Sequence, residues 1–137
     1  MVFEESPEVF WQRYLEHAAS VELLPVPYGS PLLEALTPIG PVYAFDRGAP
    51  PAPVGRVNVI FAAAVESFRY RSGPARLQPA GGGRTLLAGK ILRDLGGGAY
   101  LFDAGIPLVL HAAEPLESGA PLEVVAAPPL MLFREEV

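Results

Sequence analysis

The second half of the chain alternates β-favouring runs with glycine-bearing turns, and this alternation restricts the fold more than any other feature. A long β-favouring run over residues 56–71 comes first. Further strand candidates cover residues 85–95, 99–103, 106–111, 122–126 and 130–134. A glycine triplet at 96–98 and an Asp-Ala-Gly sequence at 103–105 have hairpin-turn compositions. The pattern predicts a β body of short, tightly connected strands, with a helix over residues 62–68 as the alternative.

Strands of this length and spacing favour a small antiparallel β barrel or sandwich. A long first strand, short hairpin-linked strands and a glycine-punctuated return resemble an OB-fold barrel over about residues 55–134. The resemblance is one of architecture and carries no sequence motif. The helix that OB folds place between their third and fourth strands has no room between Asp103 and Ile106. The N-terminal helix could close the barrel instead.

Ser6-Pro7-Glu8 indicates the start of a helix, with a capping hydroxyl, a proline in the first turn and an acid near the positive end of the dipole. One apolar stripe follows at helical spacing, formed by Phe10, Trp11, Tyr14, Leu15 and Ala18. This pattern predicts an N-terminal amphipathic helix over about residues 7–19. A second cap-like signal before residues 32–36 predicts a short helix there.

Three prolines and a glycine in residues 47–53 exclude both a helix and a sheet interior from that segment. We therefore expect one domain over residues 1–137, with a helix and extension at 1–46, a proline-rich connection at 47–54 and a β body at 55–137. A chain of 137 residues is long enough to bury a core without cross-links.

The composition excludes several classes of protein. Without cysteine there is no disulfide, thiol nucleophile or thiolate metal site, which suits a reducing compartment. No apolar stretch is long enough for a membrane helix, and the acidic N-terminus does not resemble a secretory signal. We expect a soluble, unprocessed, cytoplasmic protein. Scarce amides and abundant proline are typical of heat-adapted proteins and of GC-rich coding.

Charge is strongly segregated along the chain. Residues 1–54 carry a net charge of −5, residues 55–93 of +6 and residues 94–137 of −6. The basic segment contains Arg56, Arg69, Arg71, Arg76, Arg84, Lys90 and Arg93. These side chains either form a face for phosphates or pair with acids across the sheet. Pairing is the favoured interpretation, because a hairpin closed at residues 96–98 would bring Lys90 near Asp103.

Phe68-Arg69-Tyr70-Arg71 combines aromatic and basic residues, as in platforms for single-stranded nucleic acid. In a strand, however, alternate side chains point to opposite faces. We therefore expect the two rings on one face and the two arginines on the other. The remaining candidate for an anion or nucleic-acid face is the set Arg69, Arg71, Arg76, Arg84 and Arg93.

Known catalytic motifs are incomplete in this chain. The glycine-rich sequence at 81–90 lacks the spacing and the hydroxyl residue of a phosphate loop. His111 and Glu114 offer two metal ligands where a structural zinc site needs four, and no serine lies in a nucleophile elbow. Asp94, Asp103 and Glu123 fall in hairpin regions that explain them as turn or surface residues. We predict no catalytic residue, cofactor or metal.

The C-terminal segment is too apolar for a strand with one solvated face. It is expected either to be buried on both faces or to be covered by a second chain, with Pro128-Pro129 interrupting its edge. A protein interface is therefore predicted at Leu130, Met131, Leu132 and Phe133.

These observations favour a non-catalytic binding or assembly module that acts through a protein partner or a second copy of itself. Nucleic-acid binding through the basic strand region 56–93 is the alternative. A second alternative is a small enzyme or ligand carrier that uses the barrel mouth, with Tyr100, Asp103 and His111 nearby.

Overall fold

The structure, a computed structural model, describes residues 6–27 and 29–135. In this part of the chain, α1 (Pro7–Tyr14) and a 3-10 helix (Leu15–His17) are followed by nine strands. The strands are β1 (Ala19–Leu23), β2 (Leu32–Thr37), β3 (Gly40–Asp46), β4 (Gly55–Tyr70), β5 (Arg76–Pro79), β6 (Thr85–Gly96), β7 (Ala99–Asp103), β8 (Pro107–His111) and β9 (Pro121–Arg134). The expected mainly β fold with an N-terminal helix is confirmed.

Helix α1 begins as its sequence indicates and ends earlier. The Ser6 hydroxyl accepts a hydrogen bond from the Val9 N–H at 3.3 Å, which satisfies one free donor of the first turn. The predicted helix over residues 7–19 is too long, because α1 ends at Tyr14. After the 3-10 turn the chain enters β1, where Val21 and Leu23 point into the core with a period of two. Sheet pairing therefore overrides helical periodicity in the last residues.

The helix predicted over residues 32–36 is wrong, because this segment forms strand β2. The Ser30 hydroxyl does not cap a helix; it accepts the Leu32 N–H at 3.3 Å and donates to the Leu32 carbonyl at 3.1 Å. Leu33 and Ala35 are buried and alternate with less buried neighbours, which is the period of a strand. A short apolar run does not separate the two periodicities, and pairing with β1 and β3 decides the outcome.

The sheet closes on itself through two circuits that share β4 and β9. The first circuit runs β1–β2–β3–β9–β4 and returns to β1, and the second runs β4–β8–β7–β6–β9 and returns to β4. Strand β5 extends the second circuit at the outer edge of β6. Closure therefore comes from strand pairing, and α1 does not close the ring. The expected antiparallel pattern holds for most pairs, whereas β3–β9 and β4–β8 are parallel.

Both shared strands are long. The run predicted at 56–71 matches β4, and the helical alternative for residues 62–68 is wrong. The candidates at 122–126 and 130–134 are two halves of the single strand β9, which continues through Pro128 and Pro129. Sequence patterns did not indicate β1, β3 or β5 as strands.

Two apolar clusters hold the described residues together. The larger cluster fills the interior of both circuits. The smaller one lies under α1 on the outer surface of the sheet, where the Phe10 ring stacks on Phe133 with centroids 3.9 Å apart. Residues 59–63 of β4 are consequently buried on both faces. No helix in the described ranges has the length and apolar character needed to cross a membrane.

Candidate functional site

Four of the seven basic residues lie on one outward face of the sheet. Strand register places Arg69 of β4, Glu123 of β9, Ala88 of β6 and Arg76 of β5 in one row across four neighbouring strands. One row further along, Pro121 lies opposite Lys90, and its carbonyl accepts the Arg71 N–H at 3.3 Å. Because alternate residues of a strand share a face, Arg71 and Lys90 lie on the same side as the first row.

Glu123 is the centre of this face. Arg69 Nη2 lies 2.7 Å from Glu123 Oε1, and Arg76 Nη2 lies 3.0 Å from Oε2. The arginine side chains are exposed, whereas the Glu123 side chain between them is only 12% exposed. The hydrogen bond from Arg69, followed by that from Arg76 and the charges of Arg69 and Arg71, holds the pKa of the Glu123 carboxyl below its usual value, although desolvation opposes this shift. The carboxylate therefore stays ionised near neutral pH.

Cross-sheet pairing also explains other members of the basic segment. Arg84 Nε lies 2.7 Å from Glu66 Oε2, and this contact raises the pKa of Arg84. Arg93 reaches Glu16 at 3.7 Å and lies 3.1 Å from His17 Nε2. The Arg84 pair lies within the basic segment, whereas Arg93 meets an acid of the N-terminal acidic segment, as the favoured interpretation expected.

Lys90 and the seventh basic residue, Arg56, lie opposite acids in the strand register. Lys90 is the cross-strand partner of Asp103, as the hairpin argument indicated, and Arg56 is the partner of Glu22. In each case the acid comes from a flanking acidic segment of the sequence.

The aromatic and basic residues at the end of β4 occupy opposite faces. The Phe68 and Tyr70 rings lie edge to face with centroids 5.8 Å apart, and Phe68 packs against the larger core. Arg69 instead bonds Glu123 on the outward face. A base stacked on these rings would lie on the opposite side of the strand from the arginines, as the alternation along the strand predicted.

The predicted C-terminal interface residues are covered largely by this chain itself. Leu130 and Leu132 belong to the larger core, and Phe133 lies beneath Phe10 of α1. Met131 is half-buried, and its Sδ atom accepts a hydrogen bond from Arg47 Nη1 at 3.2 Å. The apolar run is thus buried on both faces for most of its length, and only its proline end, near Leu130, reaches an open surface.

A buried ion pair that the sequence did not reveal joins the ends of β3 and β9. Arg134 Nε and Nη2 donate to the two carboxylate oxygens of Asp46 at 3.0 and 3.1 Å. The two side chains are only 5% and 6% exposed. Arg134 also donates to the Ala49 carbonyl, and the Gly48 N–H donates to Asp46 Oδ1 at 2.9 Å. Every partner belongs to this junction, so the pair fastens the first circuit.

The proposed enzyme residues do not converge on one site. Tyr100 is buried in the main core, where its hydroxyl accepts the Leu116 N–H at 3.1 Å. His111 is buried on the other side of the sheet near Phe10, and burial, with a smaller effect of the Arg13 charge, lowers its pKa.

Asp103 lies at the far end of the β7–β8 hairpin, opposite Pro107, whereas His111 lies opposite Ala99. Four residues of extended chain separate these two positions by about 14 Å. Among the described residues, no group of three or more His, Asp or Glu side chains could hold a metal ion.

An opening in the sheet lies beside the two prolines of β9. Along one edge of β9, residues 121–126 pair with β6 and residues 131–132 pair with β3. The residues between these two partners border a groove of about 580 Å³. Pro128 and Pro129 have no N–H groups to leave unpaired in such a gap. Leu130 and Val42 form part of its apolar floor.

The two walls of this groove are open strand edges. In β3, the Asp46 N–H bonds to Pro31 on the β2 side, whereas the Arg47 N–H bonds to Leu132 of β9. Because successive backbone groups alternate in direction, Pro41 and Tyr43 direct theirs away from β2. Both residues line the groove.

Strand β5 presents the opposite wall in the same way. The Ala80 N–H bonds to the Arg84 carbonyl, so even-numbered residues of β5 face β6. Leu77 and Pro79 therefore direct their backbone groups away from β6, and both line the groove. On each wall, one residue directs both its N–H and its C=O away from the paired strand, and a proline lies two residues away. These residues are Tyr43 on β3, near Pro41, and Leu77 on β5, near Pro79. The sequence signal for this site was the proline pair within an apolar strand.

A continuous apolar surface borders the groove on the outward face of the β2–β3 hairpin. Cross-strand pairs on this face are Leu32 with Phe45, Glu34 with Tyr43 and Leu36 with Pro41. The apolar members of the three pairs are exposed, and Leu32 is 51% exposed. The Tyr43 hydroxyl donates to Glu34 at 3.2 Å, and this contact raises the pKa of Tyr43. An exposed apolar surface of this kind is typical of an interaction site.

Comparison of the chain with protein-family models, with curated proteins and with solved structures finds no match.

Proposed function

We propose that this chain is a non-catalytic binding module that holds an extended, apolar segment of a partner polypeptide in the groove between β3 and β5. One observation carries the proposal: two open strand edges, at Tyr43 and Leu77, line the same apolar groove. Its volume of about 580 Å³ is within the range of ligand sites in proteins.

An extended segment matches both features of the groove. Its main chain can exchange hydrogen bonds with the N–H and C=O groups of an open edge, while alternate side chains enter apolar pockets. Pro41 and Pro79 restrict this pairing to a short stretch, because neither offers an N–H. Such prolines also protect the free molecule from uncontrolled edge-to-edge association.

The apolar lining supplies the favourable free energy. Leu32, Tyr43, Leu77 and Leu130 line the groove, and water would leave these surfaces when a segment enters. Arg84 is the charged side chain on this lining, and Glu66 already pairs with it. The chemistry therefore favours an uncharged, apolar segment.

The alternatives have weaker support. Nucleic-acid binding through residues 56–93 would require a continuous basic track, whereas Arg84 and Arg93 pair with acids in separate places. The residues named for the enzyme alternative, Tyr100, Asp103 and His111, lie apart in the described part of the chain. The OB-like barrel expected for residues 55–134 stays a prediction. The proposal for the groove does not depend on it.

Selection from a phage-displayed library of linear heptapeptides tests the proposal directly. We expect enriched sequences with alternating apolar residues, and synthetic versions that bind in fluorescence anisotropy. Leu32→Asp should weaken them by about tenfold or more, since it places a charge on the groove wall. Leu92→Asp is the matched control, because Leu92 is 49% exposed and lies outside the groove lining.

A second pair of variants tests the strand edge itself. Tyr43→Ala keeps the backbone N–H that faces the groove, and Tyr43→Pro removes it. We expect Tyr43→Pro to bind the selected peptides more weakly than Tyr43→Ala. Failure to enrich any sequence, or equal losses for Leu32→Asp and Leu92→Asp, would rule out this groove as a peptide site. A dimer in light scattering that Leu32→Asp dissociates would instead assign the groove to a second copy.

A further inference from the structure

We propose that a separate hollow, beneath the connection between β4 and β5, binds a small tetrahedral oxyanion such as phosphate or sulfate. The hollow has a volume of about 200 Å³. Arg71 and Arg76 line it together with Ser72, Gly73 and Glu123. It shares none of its lining residues with the groove, so this inference does not depend on the peptide site.

Strand order explains why a hollow exists at this position. Strands β9 and β6 lie between β4 and β5 in the sheet, so the connection must cross the ends of both. Ala88 of β6 lies beneath the crossing and has only a methyl side chain. A larger residue there would fill the space between Glu123 and Arg76, which are its neighbours on both sides in the row.

The local charge is positive. Arg69 and Arg76 share the single carboxylate of Glu123, and the Arg71 charge also acts on that carboxylate. Among the described residues, no acidic side chain lies within 4.0 Å of the Arg71 guanidinium. Three cations therefore surround one anion, which leaves a net charge of +2 beside the hollow.

The donors suit an oxyanion. A guanidinium carries five N–H groups in a planar fork that matches carboxylate and phosphate oxygens, and the Glu123 contact uses only part of the Arg76 fork. Ser72 and Gly73 also line the hollow, and a serine hydroxyl and a backbone N–H are further donors of the kind that an oxyanion accepts. Arginine clusters with such additional donors recognise phosphate groups.

The size of the hollow favours a small anion over a polymer. Its volume of about 200 Å³ is well above what a single water molecule needs, so it has space for one small tetrahedral oxyanion. A nucleic-acid strand would need further cations in line with these. The next arginines of the segment, Arg84 and Arg93, are paired with Glu66 and Glu16.

Titration of the full chain with inorganic phosphate at low ionic strength tests the site. Two-dimensional NMR follows the backbone amide signals and the arginine Nε–Hε signals during the titration. We expect saturable shifts confined to residues 69–76, 88 and 123, with sulfate competing for the same signals. Arg71→Gln and Arg76→Gln should each weaken binding by about tenfold, because each removes a charge-assisted hydrogen bond.

Arg56→Gln is the matched control, since Arg56 belongs to the same basic segment and lies in β4, outside the hollow. It should leave phosphate affinity unchanged. If Arg56→Gln weakened phosphate binding as much as Arg71→Gln does, or if the NMR shifts did not saturate, the effect would be a general attraction by positive charge. Either result would overturn the proposal. The proposal would also be overturned if phosphate shifted no signal while a single-stranded oligonucleotide shifted the signals of Arg56 and Arg84. That result would indicate a surface for nucleic acid.

Discussion

Two carboxylates, Asp46 and Glu123, each bind arginine in this molecule, and their surroundings differ sharply. Asp46 holds Arg134 by two parallel hydrogen bonds between side chains that are almost fully buried. Glu123 shares its oxygens between two arginines that remain exposed. A buried pair cannot lose one partner without leaving a desolvated charge, whereas water can replace an exposed partner. The first pair is therefore structural, whereas the second can exchange its partners with water at low cost.

Asp46→Ala should produce the largest effect on stability. The substitution leaves the Arg134 guanidinium buried without its counter-charge and also removes the acceptor of the Gly48 N–H. We expect a loss of about 3–5 kcal/mol in the free energy of unfolding. Urea denaturation followed by circular dichroism measures it.

The double variant Asp46→Leu with Arg134→Met serves as the control, because it removes both charges together. It should recover most of the stability lost in Asp46→Ala, as apolar replacements of buried pairs often do. A loss below about 1 kcal/mol for Asp46→Ala alone would mean that water reaches the pair, and the contrast with Glu123 would disappear.

Gly48→Ala should have the next largest effect. A Cβ atom at residue 48 would lie 2.6 Å from Arg134 Cζ, so the guanidinium would have to move away from Asp46. We expect a destabilisation of about 1–3 kcal/mol, typical of overpacking. Gly73→Ala is the matched control, since a Cβ there would meet no atom within 4 Å. Equal effects of the two substitutions would count against a tight fit at residue 48.

Glu123 should make stability depend on pH. Its pKa is lowered in the folded protein, so it contributes stability at pH values above its ordinary pKa of 4.5. This contribution decreases as the pH falls through the lowered, folded-state pKa, because the carboxylate must then be protonated. The difference in urea midpoint between the wild type and Glu123→Gln should therefore be largest near neutral pH and vanish in acid. A difference that is constant with pH would contradict the assignment.

The pair formed by Arg84 and Glu66 should show the smallest effect. Both side chains are about two-fifths exposed, so water and salt screen their attraction. We expect Arg84→Gln to shift the urea midpoint less than Gly48→Ala, and the shift to decrease further at high salt. A larger shift than that of Gly48→Ala would reverse the order of the buried and exposed pairs.

The parts of the fold that sequence predicted are those determined locally. The Ser6 cap, the long run of β4 and the β6–β7 hairpin follow from neighbouring residues, and the hairpin correctly placed Lys90 opposite Asp103. The short segments that became β2 and β3 pair with each other in a hairpin, and β1 and β9 pair with their other edges. The apolar run of β2 fits a helix as well as a strand, and this pairing decided between the two.

The candidate sites show the same limit. Alternation along β4 correctly separated Phe68 and Tyr70 from the arginines, because a period of two is a local property. The groove depends on β3, β5 and β9 meeting at one place, and the buried ion pair joins residues 88 positions apart. Neither arrangement could be obtained from spacing along the chain.

Strands β4 and β9 belong to both circuits of the sheet, and this sharing governs how the protein comes apart. Neither half can keep its hydrogen-bonded ladder when the other half is lost, because each would lose two of its five strands. Partial opening should therefore be confined to peripheral elements such as α1 and β5. Amide protons in the paired region of β4 and β9 should exchange with solvent only through global unfolding, at a common, slow rate. The molecule is thus expected to behave as one cooperative unit, with both proposed ligand surfaces on the same frame.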